Sequence, residues 1–157
     1  MKEIERKFLV KYVPIHREKL TILEIEQNYL SINPEKRIRK IGDKYFLTEK
    51  GNGNLVRAEK EVSITEKEFS KLISLCKFDS IKKSRYLIPL GEELTAEMDV
   101  YHGQLEGLVV VEVEFENIDD AFNFVPKDWF GREVTSNKSF KNKNLIGIKY
   151  KDLQEIF

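Results

Sequence analysis

Charged side chains recur at every second position through most of the stretches that read as β-strand, and this alternation limits what the chain can fold into. Glu3, Glu5 and Lys7 open the series. It runs on through Arg37 and Arg39, Thr48 and Lys50, Arg57, Glu59 and Glu61, Lys83 and Arg85, Glu97 and Asp99, and Glu112 and Glu114. Residues two apart on a strand point to the same side of the sheet, so each set commits its charges to one face. The other face is apolar where it can be followed: Ile4 and Phe8 flank the first set, and Val109, Val111, Val113 and Phe115 interleave with Glu112 and Glu114. Such a sheet either turns its charges to bulk water or curls until they line an interior.

An antiparallel sheet with one wet face, its lysines and glutamates paired across strands, accounts for the alternation alone. Two details favour an interior. Four of the seven basic positions are arginine, the side chain suited to two-pronged recognition of phosphate or carboxylate. The acids come in doublets, Glu3 with Glu5 and Glu112 with Glu114, and carboxylates repeated on one face repel unless a cation lies between them. Basic strands beside acidic doublets suit a polyanion and its divalent metal.

The chain has 157 residues, which reads as one domain spanning 1–157 with room for a real core. Charged residues make up 34% of it, yet its 27 basic and 27 acidic residues cancel. No whole-molecule field draws nucleic acid or an acidic membrane, so anion binding has to be local. Cys76 is the single cysteine; it excludes an internal disulfide, fits a reducing compartment and falls in an apolar stripe as a small core residue. The N-terminus is charged from the second residue and lacks an apolar signal region, and no window has the roughly 18 apolar residues of a membrane span. The expectation is a soluble cytoplasmic protein, with a homodimer left open.

Along the chain, strands are expected over Glu3 to Val10, Glu24 to Ile32, Lys36 to Ile41, Lys44 to Lys50, Leu55 to Ile64, Ser80 to Pro89, Leu94 to Tyr101 and Leu105 to Glu116. His16 to Leu23 is ambiguous between helix and loop. Turns fall at Asn33-Pro34, Gly42-Asp43, Gly51 to Asn54, Gly91 and His102-Gly103. Thr65 with Glu68 forms a capping box, and Phe69, Leu72, Ile73 and Cys76 follow at helical spacing. Asn117 caps a short helix with Asp119 and Asp120 in its first turn. Phe122, Phe124 and Trp129 read as core or lid-packing residues, and Leu145, Ile146, Ile148 and Tyr150 give the tail a weak helical face. His16 and His102 read as surface loop residues. About eight strands with charged insides, plus helices to cover apolar outsides, predict an α+β fold: a closed eight-stranded antiparallel β-barrel forming a tunnel.

Taken in order, these segments resemble the CYTH proteins, also called triphosphate tunnel metalloenzymes. The E-x-E-x-K hallmark stands as Glu3-Ile4-Glu5-Arg6-Lys7. Gln27-Asn28-Tyr29-Leu30 follows, then Arg37-Ile38-Arg39, Thr48-Glu49-Lys50, Arg57-Ala58-Glu59-Lys60-Glu61, Lys83-Ser84-Arg85-Tyr86, Glu97-Met98-Asp99-Val100-Tyr101, Gly107 to Phe115, and Trp129 to Thr135. One departure is Ser139-Phe140-Lys141-Asn142, where the family commonly has Arg-Tyr-x-Asn. A tyrosine hydroxyl is missing there, and no function is carried to Phe140. The helical domain that accompanies some larger members is absent from this sequence, which reads as the catalytic-type domain alone.

The resemblance implies metal-dependent hydrolysis of a triphosphate, with inorganic tripolyphosphate the leading small-molecule substrate and nucleoside triphosphates secondary. Lys7, Arg37, Arg39, Lys50, Arg57, Lys83 and Arg85 are the expected phosphate binders. Glu3, Glu5 and Glu114 resemble metal ligands, with Glu112, Glu59, Glu61 and Asp99 as further ligands, water-mediated contacts or counter-charges. An all-oxygen set favours Mg²⁺ or Mn²⁺. The general base is either a carboxylate such as Glu5, Glu59 or Glu114, or Lys7 working with Tyr29, the pair favoured for catalysis; spacing alone also allows Tyr29 to be a packing residue. Thiamine triphosphatase, class IV-type adenylate cyclase and a polyphosphate or nucleotide sensor are the competing readings.

Overall fold

The computed structural model describes residues 2–14, 20–52, 55–91 and 93–154. Its strands are β1 (Lys2–Val10), β2 (Thr21–Ser31), β3 (Glu35–Ile41), β4 (Lys44–Lys50), β5 (Val56–Ile64), β6 (Ile81–Gly91), β7 (Leu94–Tyr101), β8 (Val109–Glu114) and β9 (Phe130–Glu133). The helices are α1 (Glu66–Ile73), α2 (Ile118–Asn123), α3 (Asn142–Leu145) and α4 (Tyr150–Gln154). The strands pair antiparallel in the order β5-β4-β3-β2-β6-β7-β8-β1, and β5 pairs back onto β1. That last ladder, with Glu3 opposite Arg57, closes the expected eight-stranded barrel. β9 lies outside it, added to β1 through Phe8 and Val10.

Closure follows from the alternation. The outward set of β1, β7 and β8 buries Phe8, Ala96, Met98, Val111 and Val113 in one apolar cluster with Phe115, Trp129 and Phe130. On the same outer face Arg6 forks onto Glu133 at 2.8 and 2.9 Å and donates to the carbonyls of Ala121 and Phe124, tying β9 and α2 to the barrel. α1 covers β3 and β4, where Phe69 packs its ring 5.1 Å from that of Tyr45 over the fully buried Ile38. Its capping box forms as the sequence predicts, with Thr65 and Glu68 exchanging hydrogen bonds of 3.0 Å.

Several local expectations change. Leu105 to Leu108 is not strand: Gly103 to Leu105 is a short 3₁₀ turn and β8 begins only at Val109. Gly103 and Gly107 adopt φ of 62° and 108°, and at Gly107 a Cβ would stand 2.6 Å from the Tyr150 ring, so the turn and the approach of α4 both need glycine. Cys76 lies beyond the end of α1, half-buried. Phe122 is not core but 74% exposed, because α2 turns Ala121 inward instead. β9 has no sequence signal of its own. The stretch around His16 and part of the turn after Gly51 fall outside the described residues. Among the described residues no helix is long and apolar enough to cross a membrane.

The interior is not charged from end to end. From Leu108, just before β8, the inward positions run on through Val110, Glu112 and Glu114. The first two join Ile81 and Tyr101 in a second apolar cluster with Val134, Phe140, Leu145 and Leu153 of the C-terminal segment. The barrel's inside therefore has an apolar end, filled partly by α3 and α4, and a charged end.

Candidate active site

At the charged end the inward side chains of β1 to β8, with residues 134–143, line a cavity of about 240 Å³. Most residues singled out by the alternation converge on it: Glu3, Glu5, Lys7, Tyr29, Arg37, Arg39, Lys50, Arg57, Glu59, Glu61, Arg85, Glu112 and Glu114. They arrive by register. Glu5 faces Glu114 and Lys7 faces Glu112 across β1 and β8, Tyr29 faces Arg37 across β2 and β3, and Lys50 faces Glu59 across β4 and β5.

Lys83 and Asp99 share that inward face but do not line the cavity. They are 1% and 0% exposed and lie 2.8 Å apart. Asp99 also accepts a two-pronged bond from Arg85 at 2.7 and 2.9 Å. Burial alone would raise the Asp99 carboxyl, but Arg85 and Lys83 overcome it and hold it below the usual range. The Lys83 ammonium is brought down to about 8, chiefly by burial, with Asp99 opposing. This pair sits behind the wall and fixes the fork of Arg85, which does reach the cavity.

Charges are interleaved around the cavity. Lys50 Nζ lies 3.2 Å from Glu3, and Arg57 reaches Glu3, Glu5 and Glu35 at 3.6, 3.9 and 3.4 Å. Arg39 and Thr48 both bond Glu61, at 3.0 and 2.7 Å. Lys7 Nζ donates to the Phe140 carbonyl at 3.0 Å and lies 3.1 Å from Glu112. Burial, reinforced by Arg37 and Arg85, lowers Arg39 to about 10. The Nε groups of Arg37 and Arg39 are buried without a hydrogen-bond partner. Unmet donors of this kind are costly in an interior, and an anion in the cavity is one way to satisfy them.

The carboxylates carry the opposite strain. Glu5 is pushed well above the usual range by burial first, then by Glu112 and Glu3. Burial also acts on Glu112, but Lys7, Arg85 and a hydrogen bond from Glu5 hold it well below. Glu59 is raised by burial and by Glu3, with which it shares a hydrogen bond. Two carboxyl groups hydrogen-bond only with a proton between them, and a proton so placed stands where a cation can. The donor set is all oxygen. Among the described residues, no three acid, histidine or cysteine side chains already close round an ion.

Residues beyond the sequence selection also take part. Glu97 lines the cavity, 3.4 Å from Arg85. Glu35, in the same alternation as Arg37 and Arg39, pairs with Arg57 and, at 3.8 Å, with Lys143. Fully buried Gln27 donates to the Tyr29 hydroxyl at 3.2 Å, and burial pushes that phenol well up. Thr135, Asn137, Lys141, Asn142 and Lys143 come from an irregular segment with no periodicity to mark them. Phe140 enters through its carbonyl, a contact that needs no tyrosine. On the outer face, His102 stands 2.7 Å from Ser84 Oγ, which also bonds Glu24.

No family model matches the chain. It is 40% identical to the inorganic triphosphatase of Nitrosomonas europaea over 148 residues, covering 92% of this chain and 97% of that protein. It is 35% identical to the inorganic triphosphatase of Acetivibrio thermocellus over 158 residues, covering 98% and 99%. The crystal structure of an inorganic triphosphatase superposes with a TM-score of 0.69 at 38% identity, covering 91% of this chain and 93% of that one.

Proposed function

The chain belongs to the CYTH, or triphosphate tunnel metalloenzyme, family, and from that premise we propose that it is an inorganic triphosphatase, hydrolysing tripolyphosphate to pyrophosphate and phosphate with a divalent metal ion. The observation that carries this reading is the make-up of the cavity. Its lining is mostly arginine, lysine and glutamate, joined by Thr135, Asn137 and Asn142, with Tyr29 and Phe140 as its aromatic residues and Val134 as its aliphatic one. Such walls offer charge to phosphate and almost nothing to the flat apolar surface of adenine or thiazole. This favours an inorganic substrate over thiamine triphosphate or cyclase chemistry.

Arg37, Arg39, Lys50, Arg57 and Arg85 are assigned to the phosphoryl oxygens, with Lys83 and Asp99 as the buried pair that orients Arg85. Glu3, Glu5, Glu112 and Glu114 would hold Mg²⁺ or Mn²⁺, as hard carboxylate oxygens suit, and Glu59 and Glu61 border them. A bound ion supplies neutralisation of phosphoryl charge. In the reaction a water oxygen bonds to the terminal phosphorus as the bridging P–O bond breaks, and pyrophosphate departs on the bridging oxygen. The water's proton goes to a carboxylate. Glu114, raised from the ordinary carboxyl value by burial and then by Glu3 and Glu97, is the carboxylate assigned to accept it. Lys7 and Tyr29 remain the catalytic pair: Lys7 lies 3.1 Å from Glu112, and burial, which pushes the Tyr29 phenol well up, keeps that hydroxyl a donor to an oxygen that gains charge.

The test is phosphate release from purified protein with tripolyphosphate, ATP and thiamine triphosphate in turn, each with Mg²⁺, with Mn²⁺ and with chelator. Metal-dependent release fastest from tripolyphosphate is expected. Preference for thiamine triphosphate, or ATP conversion that yields pyrophosphate only, would overturn the assignment.

A further inference from the structure

Asn142 stands where the irregular C-terminal segment meets both the cavity and the apolar end of the barrel. It opens α3 and lines the central cavity, while Leu145, at the other end of α3, is buried in the apolar cluster that also holds Tyr101. Tyr101, fully buried at the end of β7, donates its hydroxyl proton to Asn142 Oδ1. Burial first, then Asp99 and Glu112, push that phenol well above its ordinary value, so the proton stays on it. A phenol has one proton to give, and among the described residues Asn142 is its hydrogen-bond partner. Were the amide turned round, Nδ2 would face the phenol oxygen and the buried proton would lack an acceptor, which is costly in an interior. Tyr101 therefore fixes which way round the amide sits. With Oδ1 turned back to Tyr101, Nδ2 is the polar end left for the cavity, and among the described residues it donates to no protein group.

We infer that Asn142 Nδ2 is a ligand of the substrate's innermost phosphoryl oxygen, a neutral donor at the deep end of the cavity, and that Tyr101 is the residue that positions it. The inference rests on the proposed triphosphatase reading and adds a binding residue to the same site. A neutral donor suits this place. The cations beside the apolar end each carry a carboxylate of their own: Lys83 has Asp99 at 2.8 Å, and Lys7, bonded to the Phe140 carbonyl, has Glu112 at 3.1 Å. An unpaired cation there is costly to bury, and a paired one is already partly neutralised. An amide NH₂ needs no counter-ion. It offers an anionic oxygen a donor without adding a charge that has to be compensated while no anion is bound.

The experiment compares wild type with Asn142→Ala, Asn142→Asp, Tyr101→Phe and the double variant Tyr101→Phe, Asn142→Ala, each as the full chain. Rates are measured with tripolyphosphate and Mg²⁺ at low and high salt, with thermal unfolding alongside. Asn142→Ala is expected to lower kcat/KM about tenfold, the loss of one hydrogen bond to a charged group, and by the same factor at both salt concentrations because no charge is removed. Asn142→Asp keeps an acceptor for Tyr101 and should unfold close to wild type, yet its fall in kcat/KM should exceed that of alanine and shrink at high salt, since a carboxylate repels phosphate. Tyr101→Phe should lower kcat/KM about threefold to tenfold and add nothing further in the double variant, where no amide remains to be positioned. If the Tyr101 bond only anchors the C-terminal segment, Asn142→Asp hydrolyses tripolyphosphate like wild type and the two single losses multiply in the double variant; either result overturns the inference. Calorimetric binding of tripolyphosphate in chelator separates this inference from the triphosphatase reading. If wild type releases no phosphate with either metal yet Asn142→Ala binds tripolyphosphate about tenfold more weakly, that reading fails and the ligand stands. If turnover is normal and Asn142→Ala binds and hydrolyses like wild type, the Asn142 assignment fails alone.

Discussion

Asp99→Asn separates a scaffold role from a metal-ligand role at the most buried charge of the barrel. The carboxylate is 0% exposed and compensates two cations, Lys83 at 2.8 Å and Arg85 at 2.7 and 2.9 Å. Asparagine keeps one acceptor but turns an NH₂ toward a cation, strands the Lys83 charge and, among the described residues, leaves Arg85 only Glu97 at 3.4 Å. Breaking a buried pair by removing one partner costs about 3–5 kcal/mol. With a urea slope of about 2 kcal/mol per molar, the unfolding midpoint should drop by roughly 2 M, and the melting temperature by about 10 °C. Trp129, the single tryptophan and part of the larger apolar cluster, reports unfolding by its fluorescence. Adding Lys83→Met removes one stranded cation and should restore part of the loss. The scaffold account is refuted if stability in chelator barely changes while the metal concentration for half-maximal rate rises, since that is how a ligand behaves.

Glu5→Gln is expected to abolish metal-dependent turnover while leaving tripolyphosphate binding in chelator largely intact; normal hydrolysis by this variant would remove Glu5 from the metal set. The raised Glu5 also fixes a sign. A carboxyl held above its unfolded value binds more protons folded than unfolded, so its stabilisation is present below the unfolded value and lost as pH rises through the folded one. In chelator, stability should therefore decline across that window, and half-maximal metal concentration should fall over the same window as the proton is displaced; Glu5→Gln should flatten both curves. Glu112 and Asp99 act oppositely, their stabilisation being lost only as acid brings pH down through their lowered values. Tyr29→Phe should lower kcat about 10–100-fold with KM little changed, the effect of losing one hydrogen bond to a charged group; an unchanged kcat would make Tyr29 a packing residue. Thr65→Ala, which removes one half of the α1 capping box, should cost about 1 kcal/mol and leave kcat unaltered, measured by thermal unfolding alongside initial rates.

The barrel was readable because a strand's period of two survives in sequence as alternating charge, and Glu3 to Lys7, Arg37 with Arg39, and Glu112 with Glu114 each mark an inward face. Glu35 and Glu97 carried the same mark and were left out of the expected site, although each proves a counter-ion to an arginine. Lys141, Lys143 and the Phe140 carbonyl could not be found this way. They sit in a segment of short turns, and what places them is packing of Phe140, Leu145 and Leu153 into the barrel, a long-range fact with no local period.

Alternation also reports face and not depth, which is why Lys83 reads with the phosphate binders and why Asp99 reads equally as a ligand, a water-mediated contact or the counter-charge it is placed as here. Depth is set by the apolar end. With Ile81, Tyr101, Leu108 and Val110 packed against the C-terminal segment, water is kept from one side of the charged zone. Charge pairs strengthen as the surroundings lose polarity. The Lys83–Asp99 pair lies nearest that apolar end, through Tyr101, whose ring is 5.4 Å from Lys83 Nζ. Arg85, held by Asp99, comes next with buried Glu112, and the more exposed Glu61 and Glu114 lie farther out. Each layer of the gradient then contributes something different. The apolar end excludes water, the buried pair sets the arginine, and the outer charges meet an ionic ligand that arrives hydrated. Enlarging the apolar end should leave the charged residues in place yet weaken all of them together. Leu108→Ala, far from any phosphate binder in sequence, is accordingly expected to lower kcat/KM as well as stability.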